Sequence, residues 1–354
     1  MAVEIYSTDT DSGQISVIRK EGSTYRTVKE IPIGNAPRGG VKFTQDGRGF
    51  VSNTSANTVS EIDALTHREV ARITVGFGPR GLGIVPGEQF LLVSNSGSNT
   101  VSIVDLENRQ ELRQIAVGRD PRHMMVTADG TAAYVCVWGS SYIAKLDLTG
   151  LSEGKPELVR ETARIQIGEN LHPYSLNFDR SGTRALVACN TGSVVPVIDL
   201  ASDTVIAKVA TEIDGCRAVA FTPDNKYALA SLERNNTVAV IDLDTYQVTR
   251  SIPVGPGPRG LAIHDPDEAL YVSAFARNTP FAPDDDHPQM AHSVTVLNLK
   301  GIDLAGDDAV PFEELPVGFG PCSVAVFDTE KAGFQPGKLD AALADLPHAA
   351  ARQK

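Results

Sequence analysis

The sequence predicts an all-β protein, a seven-bladed β-propeller built of four-stranded antiparallel blades, and three observations carry that prediction. A phrase returns seven times: a β-type run ending in Val-Gly or its equivalent, a short loop, then Pro-Arg-Gly or a variant. Counted from the second residue of each Pro-Arg-Gly phrase, the copies lie 42, 42, 52, 43, 42 and 63 residues apart, a period that suits propeller blades rather than helical solenoids. The ends are complementary. Three strands, near Val3–Ser7, Ile15–Lys20 and Arg26–Ile33, precede the first complete phrase, and one, Ser323–Phe327, follows the last. One plus three makes a blade, so the C-terminal strand closes the ring and leaves no sheet edge open between the first and last blades. Residues 1–327 therefore read as one propeller domain, and 328–354 as a tail containing a short helix.

The clearest copy runs from Arg72 to Gln110. Apolar residues pair as Ile73/Val75, Leu82/Ile84, Leu92/Val93 and Val101/Ile103/Val104, which marks four short strands with no helical period. Turn residues separate them, at Pro86-Gly87, Asn95 to Asn99 and Asp105 to Gln110. Asp46-Gly47, Asp129-Gly130, Ser181-Gly182, Asp224-Asn225 and Asp265-Pro266 are the equivalents of the first of these turns elsewhere. The two long gaps are insertions. Residues Leu148 to Glu157 fall between the third and fourth strands of the third copy, on the far face, and read as solvated decoration. Residues Ala276 to His292 interrupt the loop between the second and third strands of the sixth copy, and their length suits a lid, a protein-partner site or disorder. Lys338 to Leu346 in the tail reads as a short amphipathic helix.

Composition excludes several classes of function. A formal net charge of −12 with no run of Lys or Arg argues against a nucleic-acid partner, which needs a basic footprint. The four cysteines, Cys136, Cys189, Cys216 and Cys322, lack CxxC spacing and read as reduced thiols. No segment approaches the roughly 18 apolar residues of a membrane helix, and the start resembles no signal peptide, so a cytoplasmic protein is expected unless a leader has been removed. No P-loop, dinucleotide fingerprint, G-x-S-x-G or H-E-x-x-H is present, and no cofactor is expected.

Within the repeats, Thr58-Val59-Ser60-Glu61-Ile62-Asp63, Thr100-Val101-Ser102-Ile103-Val104-Asp105 and Thr237-Val238-Ala239-Val240-Ile241-Asp242 share one pattern, and Val51–Asn53 and Val93–Asn95 both read Val-Ser-Asn. This resembles the YVTN family of seven-bladed β-propellers and its lactonase-like relatives over about residues 3–327. The resemblance implies the fold. Among its members are enzymes, ligand binders and surface proteins, so it leaves the activity open; neither a Trp-Asp signature nor a calcium-loop motif is present.

Five of the seven phrases carry arginine at one position: Arg38, Arg80, Arg122, Arg217 and Arg259, with Tyr174 and Cys322 in the other two. Loops that reach the innermost strands gather at one end of a propeller, so these side chains should rim the central channel. Guanidinium groups brought together repel one another unless carboxylates or a bound anion compensate them. Two readings follow: a pocket for a small anionic metabolite, carboxylate or phosphate, or arginines each paired with an Asp or Glu of a neighbouring blade. The breaks in the repeat favour the first, because an asymmetric ligand needs an asymmetric site. They are Tyr174, Cys322, His123 in place of glycine, and His172 ahead of Pro173. His123 and His172 are the candidate acid/base residues, with a neighbouring guanidinium expected to lower their pKa. Trp138, the sole tryptophan, sits in a loop between second and third strands that returns to the same face, as do Asn53, Asn95, Asn190, Glu233 and Arg234, and could stack on a planar substrate. Cys322 could act as a nucleophile if the arginines favour its thiolate. His264 maps to the opposite face. The acidic stretch Asp284 to Asp286 with His287 and His292 gives only a weak divalent-metal signal, and no metal site is assigned. Lactone hydrolysis, cycloisomerisation or a lyase-type elimination would suit such a site; the alternative is a non-catalytic scaffold whose 276–292 loop engages a protein.

Overall fold

The computed structural model describes residues 3–275 and 292–329. Seven four-stranded antiparallel sheets form a ring. Blade 1 comprises Pro37–Phe43, Arg48–Asn53, Thr58–Asp63 and Arg68–Thr74, from the inner strand outward. The inner strands of blades 2 to 6 are Pro79–Ile84, Pro121–Val126, Pro173–Phe178, Cys216–Phe221 and Pro258–His264. Blade 7 takes its inner strand, Pro321–Asp328, from the C-terminal side and its other three, Val3–Asp9, Gln14–Glu21 and Thr24–Pro32, from the N-terminal side. Ile5 pairs with Val326 and Ser7 with Val324 across this closure. The Gly318 N–H donates to Asp9 Oδ2 at 3.0 Å beside the seam. Ring closure thus follows the expected one-plus-three arrangement.

Burial explains the strand patterns. Second strands such as Ala132–Val137 are buried at every residue, because neighbouring blades cover both faces of the sheet. Outer strands such as Arg160–Gln166 alternate, because one face meets water. The apolar clusters accordingly lie between blades: Leu92, Val101 and Ile103 of blade 2 pack with Val135, Val137 and Ala144 of blade 3. Each such aliphatic side chain contributes about 1.5–3 kcal/mol when fully buried. With the core distributed around the ring, the axis is left as a channel.

Polar groups of the Val-Ser-Asn motif tie the blades together. The Ser52 hydroxyl lies 2.7 Å from the carbonyls of both Arg38, in its own blade, and Arg80, in the next. Ser231 donates to the Arg259 carbonyl at 2.7 Å across the blade 5–6 boundary. Asn95 donates through Nδ2 to Ser102 at 2.7 Å, and its side chain fills the space beneath Gly76, where a Cβ would come within 2.7 Å of it. The glycine that ends the Val-Gly run is therefore fixed by the asparagine of the following blade's second strand.

Two differences from the sequence reading have physical causes. Pro-Arg-Gly begins the inner strand itself rather than forming the loop before it; proline is tolerated at the first strand position, where its missing N–H breaks no ladder. The insertion at 148–157 is more than decoration: Leu148 and Leu151 are buried in the blade 2–3 cluster, and the Arg113 guanidinium donates to the Pro156 carbonyl at 3.1 Å. Of the long loop Ala276–His292, only His292 lies within the described residues; the remainder, with the lid, the partner site and the acidic metal signal read there, lies outside them, as does the tail helix at 338–346. No described helix is long and apolar enough to cross a membrane.

Candidate functional site

Inner strands of all seven blades surround a cavity of about 350 Å³ on the axis. Around its mouth the order is Cys322, Arg38, Arg80, Arg122, Tyr174, Arg217 and Arg259, one residue from each blade, and all seven line the cavity. Deeper positions include Lys42, His123, Met125 and Asn177.

Counter-charge is unevenly distributed around this rim. Arg122 forms a two-pronged contact with Asp120, at 2.8 and 3.2 Å. Burial alone raises the Asp120 carboxyl, but hydrogen bonding and the charge of Arg122 outweigh it and hold the group below its ordinary pKa. Arg217 and Arg259 share Glu233, which approaches within 2.5 and 2.7 Å of their Nε atoms. Arg38 and Arg80 have no ion-pair partner among the described residues, and Arg80 Nε is buried without a hydrogen-bond acceptor. Burial, followed by the charges of Arg122 and Arg38, lowers the Arg80 pKa. Blades 3, 5 and 6 thus pair their cations with carboxylates, while blades 1 and 2 leave theirs facing the cavity without one among the described residues.

Tyr174 has a clear role in this pattern. Arg122 lies 5.1 Å and Arg217 4.6 Å from its ring centroid, so it sits between the two guanidiniums. A sixth arginine there would add repulsion on both sides, whereas an aromatic face attracts both cations. Arg122 continues the stack onto Trp138, 4.3 Å from the centroid, and Trp138 lies on His172 with ring centroids 4.4 Å apart and planes 23° off parallel.

His172 and Trp138 are consequently not where a catalytic base or a stacking platform is needed. His172 Nδ1 is 2.9 Å from the Trp138 carbonyl, and the two rings occupy each other; neither residue lines the cavity. Together they act as a backstop that fixes Arg122. His123, in contrast, lines the cavity, and its Nδ1 is buried without a partner. Burial first, then the nearby charge of Lys42, push its pKa down to about 3. The expected cause was a guanidinium; the actual charged neighbour is a lysine. Because the folded protein refuses this proton and the unfolded chain accepts it, His123 should make stability rise with pH between about 3 and 6.5 and contribute no slope above that window. Replacing His123 with Asn should flatten the melting-temperature profile across the window by on the order of 5 °C, while parallel wild-type and variant profiles would show that the ring is solvated.

Cys322 lines the mouth between Arg38 and Arg259. Burial pushes its thiol up, but these two guanidiniums outweigh burial and leave it below the usual value. The other three cysteines are free and buried, and burial raises all of them, Cys216 to about 12. Iodoacetamide should therefore alkylate Cys322 at least about tenfold faster than the other three, as read by peptide mass spectrometry. Equal rates would mean that the rim does not hold a thiolate.

Lys42 is the residue that sequence reasoning missed. The backbone N–H groups of Thr44, Val85, Thr127, Asp179 and Thr222 each bond the residue that opens the following strand or its close equivalent, which marks them as equivalent positions. Pro37 precedes Thr44 by one residue more than Pro121 precedes Thr127 or Pro173 precedes Asp179. The extra residue sits in Gly39-Gly40, where the pairing register jumps between Arg38 and Lys42. This slip places Lys42 at the level of Met125 and Asn177 in the channel. The doubled glycine, with a second charged residue, Lys42, further along the same inner strand, was the available signal.

Fold and rim together define a seven-bladed propeller with a cationic central channel. Among solved structures, the chain superposes on a candidate 6-phosphogluconolactonase of Bacteroides fragilis with a TM-score of 0.76 at 15% identity, covering 92% of this chain and 98% of that one. It also superposes on Kuenenia stuttgartiensis hydrazine synthase with a TM-score of 0.67 at 21% identity, covering 88% of this chain and 99% of that one. At these identities the likeness shows the fold alone. In sequence, the chain is 30% identical to the uncharacterized protein YncE of Salmonella typhimurium over 105 residues, which are 30% of this chain and 29% of the relative. The corresponding YncE of Salmonella typhi is 29% identical over the same length, so the match spans less than a third of these curated relatives. No family model matches the chain.

Proposed function

We propose that this propeller, a member of the YVTN group, binds a small carboxylate- or phosphate-bearing metabolite in its central cavity. One observation carries the reading: Arg38 and Arg80 face the cavity without carboxylate partners among the described residues, although the same ring supplies Asp120 and Glu233 to the other three arginines. Guanidinium forks match the oxygens of carboxylates and phosphates, and a cation left uncompensated in a partly dry site is stabilised when an anion arrives. His123, neutral at physiological pH, supplies an imidazole whose Nδ1 is buried without a partner beside the cavity. Lactone hydrolysis, cycloisomerisation or elimination fits this combination, and the B. fragilis neighbour, whose name denotes a phosphorylated lactone, supports the first. The four free cysteines fit a reducing, cytoplasmic setting.

A panel of carboxylates and phosphates, each matched to a neutral amide or ester, tests the reading by thermal shift. At about one hundred times Kd a true ligand adds roughly 2.7 kcal/mol of stability, while the neutral analogue adds none. Equal shifts from charged and neutral compounds would overturn it. A second reading, a docking propeller, is favoured by Phe77 and Phe319, which are 68% and 66% exposed in identical Val-Gly-Phe-Gly-Pro turns. The same panel separates the two, since a docking surface leaves the cavity indifferent to charge.

A further inference from the structure

We propose that Lys42 is a nucleophilic amine that condenses with the carbonyl of a small oxo acid whose carboxylate is held by Arg38 and Arg80. The inference rests on the anion-binding reading of the cavity and adds a covalent step to it. Three observations support it. Lys42 lines the same cavity as the two uncompensated arginines, and its neighbours at that level, Met125 and Asn177, are neutral. Burial lowers its pKa, and no carboxylate among the described residues offsets the loss of water. His123 lies close enough to feel that charge and keeps Nδ1 unpartnered. Withdrawal from water among neighbouring cations shifts a lysine from ammonium toward free amine, and the free amine is the form that attacks carbonyls.

The chemistry balances without an outside oxidant or reductant. The Lys42 Nζ lone pair attacks the carbonyl carbon, a C–N bond forms, and the C=O π electrons move to oxygen. The proton on the nitrogen then passes to that oxygen, giving a neutral carbinolamine. A second proton, taken from solvent at the channel mouth, lets the hydroxyl leave as water while the nitrogen lone pair forms the C=N bond of an iminium, which carries that proton's charge. The charges at the mouth serve both ends of the process: they draw in the carboxylate, and they resist a second positive charge on Lys42 before it reacts.

Trapping tests this directly. The full-length protein is incubated with glyoxylate, reduced with cyanoborohydride and mapped by peptide mass spectrometry. Lys42 should carry the carboxymethyl group at least about tenfold above any surface lysine, and Lys42→Arg should abolish that label while leaving the surface background unchanged. Acetate, an anion without a carbonyl, is titrated in parallel by calorimetry. Labelling of Lys42 no greater than that of surface lysines, with acetate binding intact, overturns the amine and leaves the anion site standing. Loss of both shows instead that the cavity does not bind anions.

Discussion

Replacing Arg38 and Arg80 together by alanine should weaken binding of a cavity anion by about two to four orders of magnitude, because each charge-assisted contact is worth roughly 1.5–3 kcal/mol. The same double variant should melt at or above the wild-type temperature. Both guanidiniums are partly withdrawn from water, Arg80 is lowered by burial and by Arg122 and Arg38, and neither has a compensating acid among the described residues. In the empty protein they are a net cost, which is the usual relation between a binding site and the stability of its scaffold. Calorimetry for affinity and differential scanning for stability give opposite signs if the pair is functional. A fall in both would make the arginines structural and sink the anion site.

Glu233→Gln should act in the reverse sense. Glu233 is shared by Arg217 and Arg259, and all three side chains are less than a fifth exposed. Removing its charge leaves two more guanidiniums uncompensated at one mouth, with an expected loss of about 3 kcal/mol in the empty protein. A ligand anion can then take over the vacated contacts, so its affinity should rise about tenfold, or roughly 1.4 kcal/mol. If affinity falls along with stability, Glu233 serves to position the two arginines rather than to neutralise them.

Much of the architecture was legible because each blade repeats the same turn chemistry and the same period-two burial. The five arginines were legible for the same reason: a position read five times in a repeat has one place to go in a ring. What the repeat could not display were the partners, which come from other loops. Glu233 and Trp138 were visible as loop residues, but distances were needed to show that the first is shared by two arginines and that the second is shut between His172 and Arg122. Tyr174 was visible as a break in the pattern; its reason, attraction to cations on both sides, needed distances. Lys42 escaped because a one-residue slip at Gly39-Gly40 decides which side chain meets the axis, and alternation patterns carry no mark of such a slip.

The slip in blade 1 also has a stereochemical consequence. A sevenfold ring of equal arginines would hold an anion in seven equivalent orientations and would give an asymmetric guest no preferred one. With free cations on one wall, an aromatic-cation stack on the opposite side and an amine at a single depth, a ligand meets three different contacts that are not interchangeable. The cavity is therefore handed with respect to its guest, and a chiral oxo acid or lactone should be accepted as one enantiomer in preference to the other.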